Sequence, residues 1–312
     1  MLILLCNHVF RSYNLWVLLQ AMISIEPHEL STAKLHAYLL GAVSPRPICF
    51  ASTVDSKGNV NLSPFSFFNV FSAKPPILVF SPARRGRDNT TKHTYENVLE
   101  VPEVVINIVN YSMVQQVSLS STEYAKGVNE FNKAGFTELA SDIVKPPRVA
   151  EAPVQLECKV NQVISLGNEG GAGNLVICEV VKIHINEEIL GEDGNIDPFK
   201  IDTVSRLGGN WYSRAKAGLF EVPKPLTTLG IGIDSLPEEI RRSKVLTGND
   251  LGMLGNVENF PNSEEINIFI NASEELKWLR DEGNFLEIHK KAQDFLVEGK
   301  IEEAWKVLLC KQ

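Results

Sequence analysis

The chain of 312 residues is 44% hydrophobic and 22% charged, a composition that supports a packed core and excludes disorder as the main state. With 30 Lys+Arg against 38 Asp+Glu the net charge is −8, which argues against a surface that tracks nucleic acid. No run of about eighteen apolar residues offers a membrane helix, and the length allows one large domain or two ordinary ones.

In chain order, residues 1–22 are expected to be a translated leader or a loosely ordered arm: two short apolar runs are broken by Asn7, His8 and Arg11, and the basic-then-apolar order of an export signal is missing. Strand patterning then dominates to about residue 220. Pro47–Val54 is β-branched and apolar, Asp55-Ser56-Lys57-Gly58 supplies a turn, and Val60–Leu62 resumes, which reads as a hairpin. Ile77–Phe80 and Glu103–Val109 are short buried strands. Gln155–Leu166 and Leu175–Ile185 alternate on either side of the Gly-rich Asn168–Gly173, a second hairpin. Helices are expected at Thr91–Leu99, Ser112–Ser120 and Val128–Ala134. The strand–helix alternation of a doubly wound sheet is missing, so the pattern predicts an antiparallel β-barrel with a few helices outside it. Beyond Pro223 and Pro225 the spacing turns helical, over Ser235–Leu246 and Glu274–Leu309, with Gly299 separating two short helices in what resembles a single helical-hairpin repeat, a packing or docking appendage.

The five cysteines are widely spaced with no CxxC, and three lie in apolar strands, so buried free thiols in a reducing compartment are expected. No Cys/His group has zinc spacing. The sequence lacks a phosphate-binding GxxxxGK[ST], a complete GxGxxG, GxSxG and HExxH; Ser31-Thr-Ala-Lys34 matches SxxK without its partner motifs. His184, between two isoleucines, is expected to be structural or at the surface.

Three polar clusters remain, on the rims of the expected strands. The first is Ser44–Pro47 leading into Ser52-Thr53; the second is Asn61–Asn69; the third is Ser81–Thr94. In the third, Arg84, Arg85, Arg87 and Lys92 face one acid, Asp88, with threonines at a helix start, which is what a phosphate needs; a solvated basic loop is the alternative. In the second, Phe65, Phe67 and Phe71 would share one face of a strand and Phe68 the other. Pro64, Ser66 and Asn69 interrupt that ladder, and the main-chain N–H groups left unpaired suit the edge of a flat heteroaromatic ring.

At these residues the sequence resembles the flavin reductase-like family. The blocks are SPRPICFASTVDSKGNVNLSPFSFFNVFSAKPPILVFSP, RRGRDNTTKHTYEN, EFNKAGF, KPPRV, PVQLECKV, GNLVICEVV and GGNWYSR. The resemblance spans residues 23–225 and implies a mainly β fold, a Greek-key split β-barrel of the FMN-binding type, with residues 226–312 as a helical C-terminal extension. It implies a homodimer with FMN near the interface. Ser52 and Thr53 would lie near the phosphate or ribityl chain, and Ser66, Phe67, Phe68 and Asn69 along the isoalloxazine ring. Arg85, Lys92 and Thr94 would serve the phosphate, while Trp211, with Tyr212 and Ser213, would close the site. Relatives often have Asp where this chain has His93, so no role carries over there. The implied activity is a cytoplasmic NADH- or NADPH-dependent flavin reductase that supplies electrons to an acceptor or a partner oxygenase. The alternatives are an FMN-binding electron carrier of the flavoredoxin kind, a related oxidase of phosphorylated pyridoxine compounds, and a flavin-free scaffold. No metal, nucleic acid or membrane partner is expected, and hydride transfer to flavin needs no acid or base side chain, so none is assigned.

Overall fold

The computed structural model describes residues 22–226 and 229–311; the expected leader over 1–21 lies outside them. The chain divides into two compact units, the first ending at Leu219 and the second starting at Phe220.

The first unit opens with helix α1 (Thr32–Ala42), whose N-cap is Ser31: its hydroxyl accepts the Lys34 N–H at 3.3 Å. The SxxK match is thus a helix cap. Strands β1 (Cys49–Val54) and β2 (Val60–Phe65) form the expected hairpin. Asp55 closes its turn by accepting the N–H groups of Lys57 and Asn59, and Gly58 takes the positive φ of 86° that the turn requires. β3 (Phe68–Ala73), β4 (Pro76–Phe80), helix α2 (His93–Glu100) and β5 (Glu103–Ile108) follow. Helices α3 (Val114–Ser120) and α4 (Glu130–Ala134) precede a two-residue ladder, β6 (Glu138–Leu139) with β7 (Arg148–Val149). The long hairpin β8 (Val154–Ser165) and β9 (Asn174–Ile185) leads through α5 (Pro198–Ile201) to a small hairpin, β10 (Val204–Arg206) and β11 (Tyr212–Arg214).

The main sheet is antiparallel throughout, in the order β2-β1-β5-β8-β9-β4-β3. Its two end strands, β2 and β3, are consecutive in the chain with only Ser66 and Phe67 between them. At about 3.8 Å per Cα step, so short a link forces the sheet to roll until its ends nearly meet. The result is a barrel left unpaired between β2 and β3, the expected split barrel. Alternate residues feed two cores. Cys49, Ala51, Phe80, Val104, Ile106, Cys158 and Cys178 fill the inside, while Phe50, Leu62, Val109 and Val149 pack against Met113, Val117 and Phe131 of the helical layer. Cys49, Cys158, Cys178 and Cys310 are buried and free.

One buried charge ties the barrel to the loop between β6 and β7. Glu157, with no exposed surface, accepts N–H bonds from Asp142, Ile143 and Val144 at 2.8, 2.7 and 3.1 Å, and its Oε1 lies 2.7 Å from His184 Nε2. His184 is structural, as the sequence suggested. Asp142, Glu157 and His184 also lie close enough to ligate an ion. The Glu157 oxygens are already committed, however, and Lys182 at 2.6 Å and Arg148 at 4.0 Å neutralise Asp142.

The second unit is helical: α6 (Glu238–Arg241), α7 (Gly248–Gly255), α8 (Ser263–Asn271), α9 (Glu274–Asp281), α10 (Phe285–Val297) and α11 (Ile301–Leu308). The helical spacing expected over Ser235–Leu246 yields only one turn. Over Glu274–Leu309 it yields three helices, broken at Gly283 and Gly299. A Cβ at Gly283 would stand 2.7 Å from the Leu279 carbonyl, and Gly299 has a φ of 74°. Leu254, Ile270, Ile288, Ala292 and Trp305 form its core, and the Trp305 indole donates to the Leu254 carbonyl at 3.1 Å. No helix among the described residues is long and apolar enough to cross a membrane.

Candidate functional site

The split between β2 and β3 opens onto a cleft of about 240 Å³, lined by Ser63–Phe67, by His36 and Leu40 of α1, and by Ser81, Ala83, Lys92 and Ser121. A smaller recess of about 30 Å³ continues it: Ser63, Lys92 and Ser121 border both, and Arg85, His93, Glu123 and Glu130 are added. A larger depression, about 620 Å³, lies elsewhere, at the β1–β2 turn. There Lys57 and Lys145 are matched by Asp55, Glu100 and Glu138, and Glu100 already accepts from Ser56.

The other end of the cleft is built at the corner between β2 and β3. The Phe67 carbonyl accepts from Ser81 at 2.9 Å, while the N–H groups of Ser66 and Phe67 donate to no group among the described residues. Unpaired donors were expected over this segment. Those of Phe68 and Asn69 fall in β3, opposite Phe80 and Val79. The same corner corrects the expected aromatic faces. It breaks the alternation, so Phe65 and Phe68 both turn to the core, with the Phe65 ring 5.6 Å from Phe80, while Phe67 and Phe71 are exposed. The His36 ring meets Phe67 edge-on at 6.1 Å. Sequence reasoning missed α1 and its contribution to this wall; the Ser31 cap was its available signal.

The basic end is the loop from β4 to α2. Arg84 locks the loop onto Asn89, with Nε–Oδ1 and Nη2–O distances of 2.6 Å, and Asn89 adopts a φ of 58°. The loop rests on the Gly-rich β8–β9 turn: Arg84 N–H donates to Ala172 at 2.8 Å, and a Cβ at Gly170 would come within 3.1 Å of the Arg85 carbonyl. Those glycines, expected only as a hairpin turn, therefore also let the basic loop approach. Arg85 is held by Thr90, by the Thr91 carbonyl and by Glu123. Lys92 is the N-cap of α2 and no side chain caps that helix, so the His93 and Thr94 N–H groups have no cap partner; Lys92 and His93 border the recess. Burial, then the neighbouring Arg85, lowers the Lys92 pKa, and burial lowers that of His93. Glu130, only 3% exposed, has its pKa raised by burial, and it accepts the Leu62 N–H at 2.9 Å on the free edge of β2.

Two of the hydroxyls expected to serve an anion are spent inside the protein. Thr90 donates to Asp88, whose pKa falls to about 2, and Thr91 donates to Glu96. Thr94 is buried and accepts from Asn61 at 2.8 Å, a bond that leaves its hydroxyl proton uncommitted. Thr53 is buried and accepts from Asn97 at 3.1 Å. Ser52 is buried, its hydroxyl without a protein partner. The structure thus brings Ser66, Phe67, Arg85 and Lys92 together at the cleft. It sets Ser52, Thr53 and Thr94 beneath the surface, Phe68 in the core, Asn69 on the exposed edge strand, and Trp211, 76% exposed, on the β10–β11 turn outside the cleft lining.

Residues 41–199 match the family model described as flavin reductase like domain. A protein of Halalkalibacterium halodurans is 39% identical over 192 residues, covering 61% of this chain and 91% of that protein. Among solved structures, nitrilotriacetate monooxygenase component B from Bacillus cereus superposes with a TM-score of 0.61 at 30% identity, covering 65% of this chain and all of that one. A split-barrel protein of Shewanella frigidimarina, described as a flavin reductase, gives a TM-score of 0.55 at 27% identity over 64% of this chain and 96% of that one.

Proposed function

The chain belongs to the flavin reductase-like family, and on that footing we propose that it binds FMN in the β2–β3 cleft and reduces it with NADH or NADPH, for delivery of electrons to an acceptor or a partner oxygenase. One observation carries the reading. Arg85, Lys92 and the uncapped start of α2 gather at one end of a cleft whose other end presents the Phe67 ring and the unpaired N–H groups of Ser66 and Phe67. That is a phosphate seat at one end and a stacking surface with ring-edge donors at the other. The donors present suit FMN, whose phosphate needs cations and N–H groups and whose ring edge carries carbonyl and nitrogen acceptors.

Bound FMN would supply the redox chemistry, accepting a hydride from the nicotinamide at N5. The chain's own work is positioning. Arg85 and Lys92 anchor the phosphate, and Phe67 and His36 shape the wall beside the ring. The unpaired Ser66 and Phe67 N–H groups would favour negative charge at a ring edge placed beside them. Anaerobic mixing of the FMN-loaded protein with NADH, and separately NADPH, is expected to bleach the visible flavin band. A flavin that binds but stays oxidised with both donors would overturn the reductase in favour of a carrier.

The site also calls for a second copy of the chain. A cleft of about 240 Å³ falls short of the roughly 300–1,000 Å³ of complete ligand sites. Around it lies uncovered apolar surface. β3 is an end strand with Val70 63% and Phe71 67% exposed, and α1 buries none of its residues although Tyr38 and Leu39 are apolar. A homodimer that covers this rim and brings Trp211 of the partner subunit to the cleft would complete it. Phe71→Asp is expected to shift the protein from dimer to monomer in sedimentation and to weaken FMN binding with it. A monomeric F71D that binds FMN as the parent does would refute the shared site.

A further inference from the structure

Three cations converge on one carboxylate at the basic end of the cleft. Glu123, in the loop after α3, takes Arg85 Nε on Oε1 at 3.1 Å and Arg87 Nη2 on Oε2 at 2.9 Å, and Lys92 Nζ lies 3.7 Å from Oε1. Glu123 borders the same recess as Arg85, Lys92 and His93. Among the described residues it is the only acid in ion-pair reach of Lys92, and Arg85 has no other acidic partner. The two residues best placed to hold a phosphate therefore face an internal anion already.

A carboxylate and a phosphate accept from the same donors in the same way, so they compete. Glu123 is suited to yield. Its side chain is 41% exposed, and Arg87, the partner that would follow it outward, is 75% exposed. Once swung into water, the Glu123 carboxylate regains its hydration, and leaving costs it little. We propose that Glu123 is a displaceable counter-ion that occupies the phosphate seat and makes FMN a releasable ligand, one that exchanges with free flavin instead of staying as a fixed prosthetic group. This rests on the flavin reading above and deepens it. Glu123 acts here through Arg85 and Lys92 as a positioning residue.

A purely structural Glu123, one that holds Arg85 and Lys92 in place for the phosphate, makes the opposite forecast, so the sign of the effect decides. The test is titration of the full-length protein and of Glu123→Gln with FMN and with riboflavin, which has no phosphate, followed by quenching of flavin fluorescence. The variant is expected to bind FMN ~10-fold more tightly, the equivalent of ~1.4 kcal/mol, and to release it correspondingly more slowly, with riboflavin affinity unchanged. Unchanged or weaker FMN binding by the variant, or an equal gain for riboflavin, overturns the proposal while leaving the flavin site standing. Failure of both proteins to bind either flavin would bring down the flavin reading and this inference together.

Discussion

Lys92→Ala is expected to weaken FMN binding by roughly 10- to 150-fold, because it removes a charge-assisted bond of ~1.5–3 kcal/mol to the phosphate. Lys92 borders both parts of the cleft, sits at the start of α2, and has Glu123, at 3.7 Å, as its nearest acid. Its ammonium is thus only loosely committed within the protein and available to a ligand. Riboflavin binding should change little, since the ring-edge donors at Ser66 and Phe67 belong to the other end of the cleft. The comparison separates a lost phosphate contact from a damaged fold. FMN affinity unchanged in K92A would remove Lys92 from the site. Arg85→Ala should act in the same direction, and its side chain, 14% exposed, also braces the loop through Thr90 and Thr91, so a loss of stability is expected besides.

Glu157→Ala is expected to cost about 3–5 kcal/mol of stability, the range for breaking a buried charged network from one side. The variant strands the N–H groups of Asp142, Ile143 and Val144 and leaves His184 without its partner. Urea unfolding followed by far-ultraviolet circular dichroism should show a clear drop in midpoint; an unchanged midpoint would sink the claim. The pH dependence has a definite sign. Burial raises the Glu157 pKa, but the Asp142 N–H and His184, with the Ile143 and Val144 N–H groups, outweigh it and hold the carboxyl below its usual range. A depressed folded-state pKa means stability that is present above the ordinary glutamate value of ~4.3 and lost as pH falls through the lowered one. Glu157→Gln should therefore flatten the acid limb of the stability profile as well as lower it.

How much of this was legible beforehand differs by element. The β1–β2 and β8–β9 hairpins stood out because turn residues, Asp55 to Gly58 and Asn168 to Gly173, separate strongly patterned strands, and a local signal of that kind survives tertiary packing. Helix α1 did not stand out. Apolar residues lie all round it and none is buried, so it has no stripe to detect. The phenylalanines of the second cluster were assigned to the wrong faces because period-2 reasoning assumes an unbroken strand, and the corner at Ser66–Phe67 resets the count. Among the site residues that the resemblance implies, Ser66, Phe67 and Lys92 line the cleft and Arg85 its recess. Polarity alone does not show that Thr90 and Thr91 spend their hydroxyls on Asp88 and Glu96, or that Thr94 and Thr53 are buried against Asn61 and Asn97.

The sequence by itself determined the antiparallel barrel, the basic loop with its helix start, and the family, because each is written in short runs of neighbouring residues. Only the tertiary structure decided which of those residues meet. The two-residue link between the end strands rolls the sheet, and the rolled sheet opens a cleft at that corner. Glu123, thirty-one positions beyond Lys92, is set against the cations of the basic loop. Contacts between residues so far apart in the chain depend on how the elements pack, and local patterns of polarity and turn chemistry do not encode them.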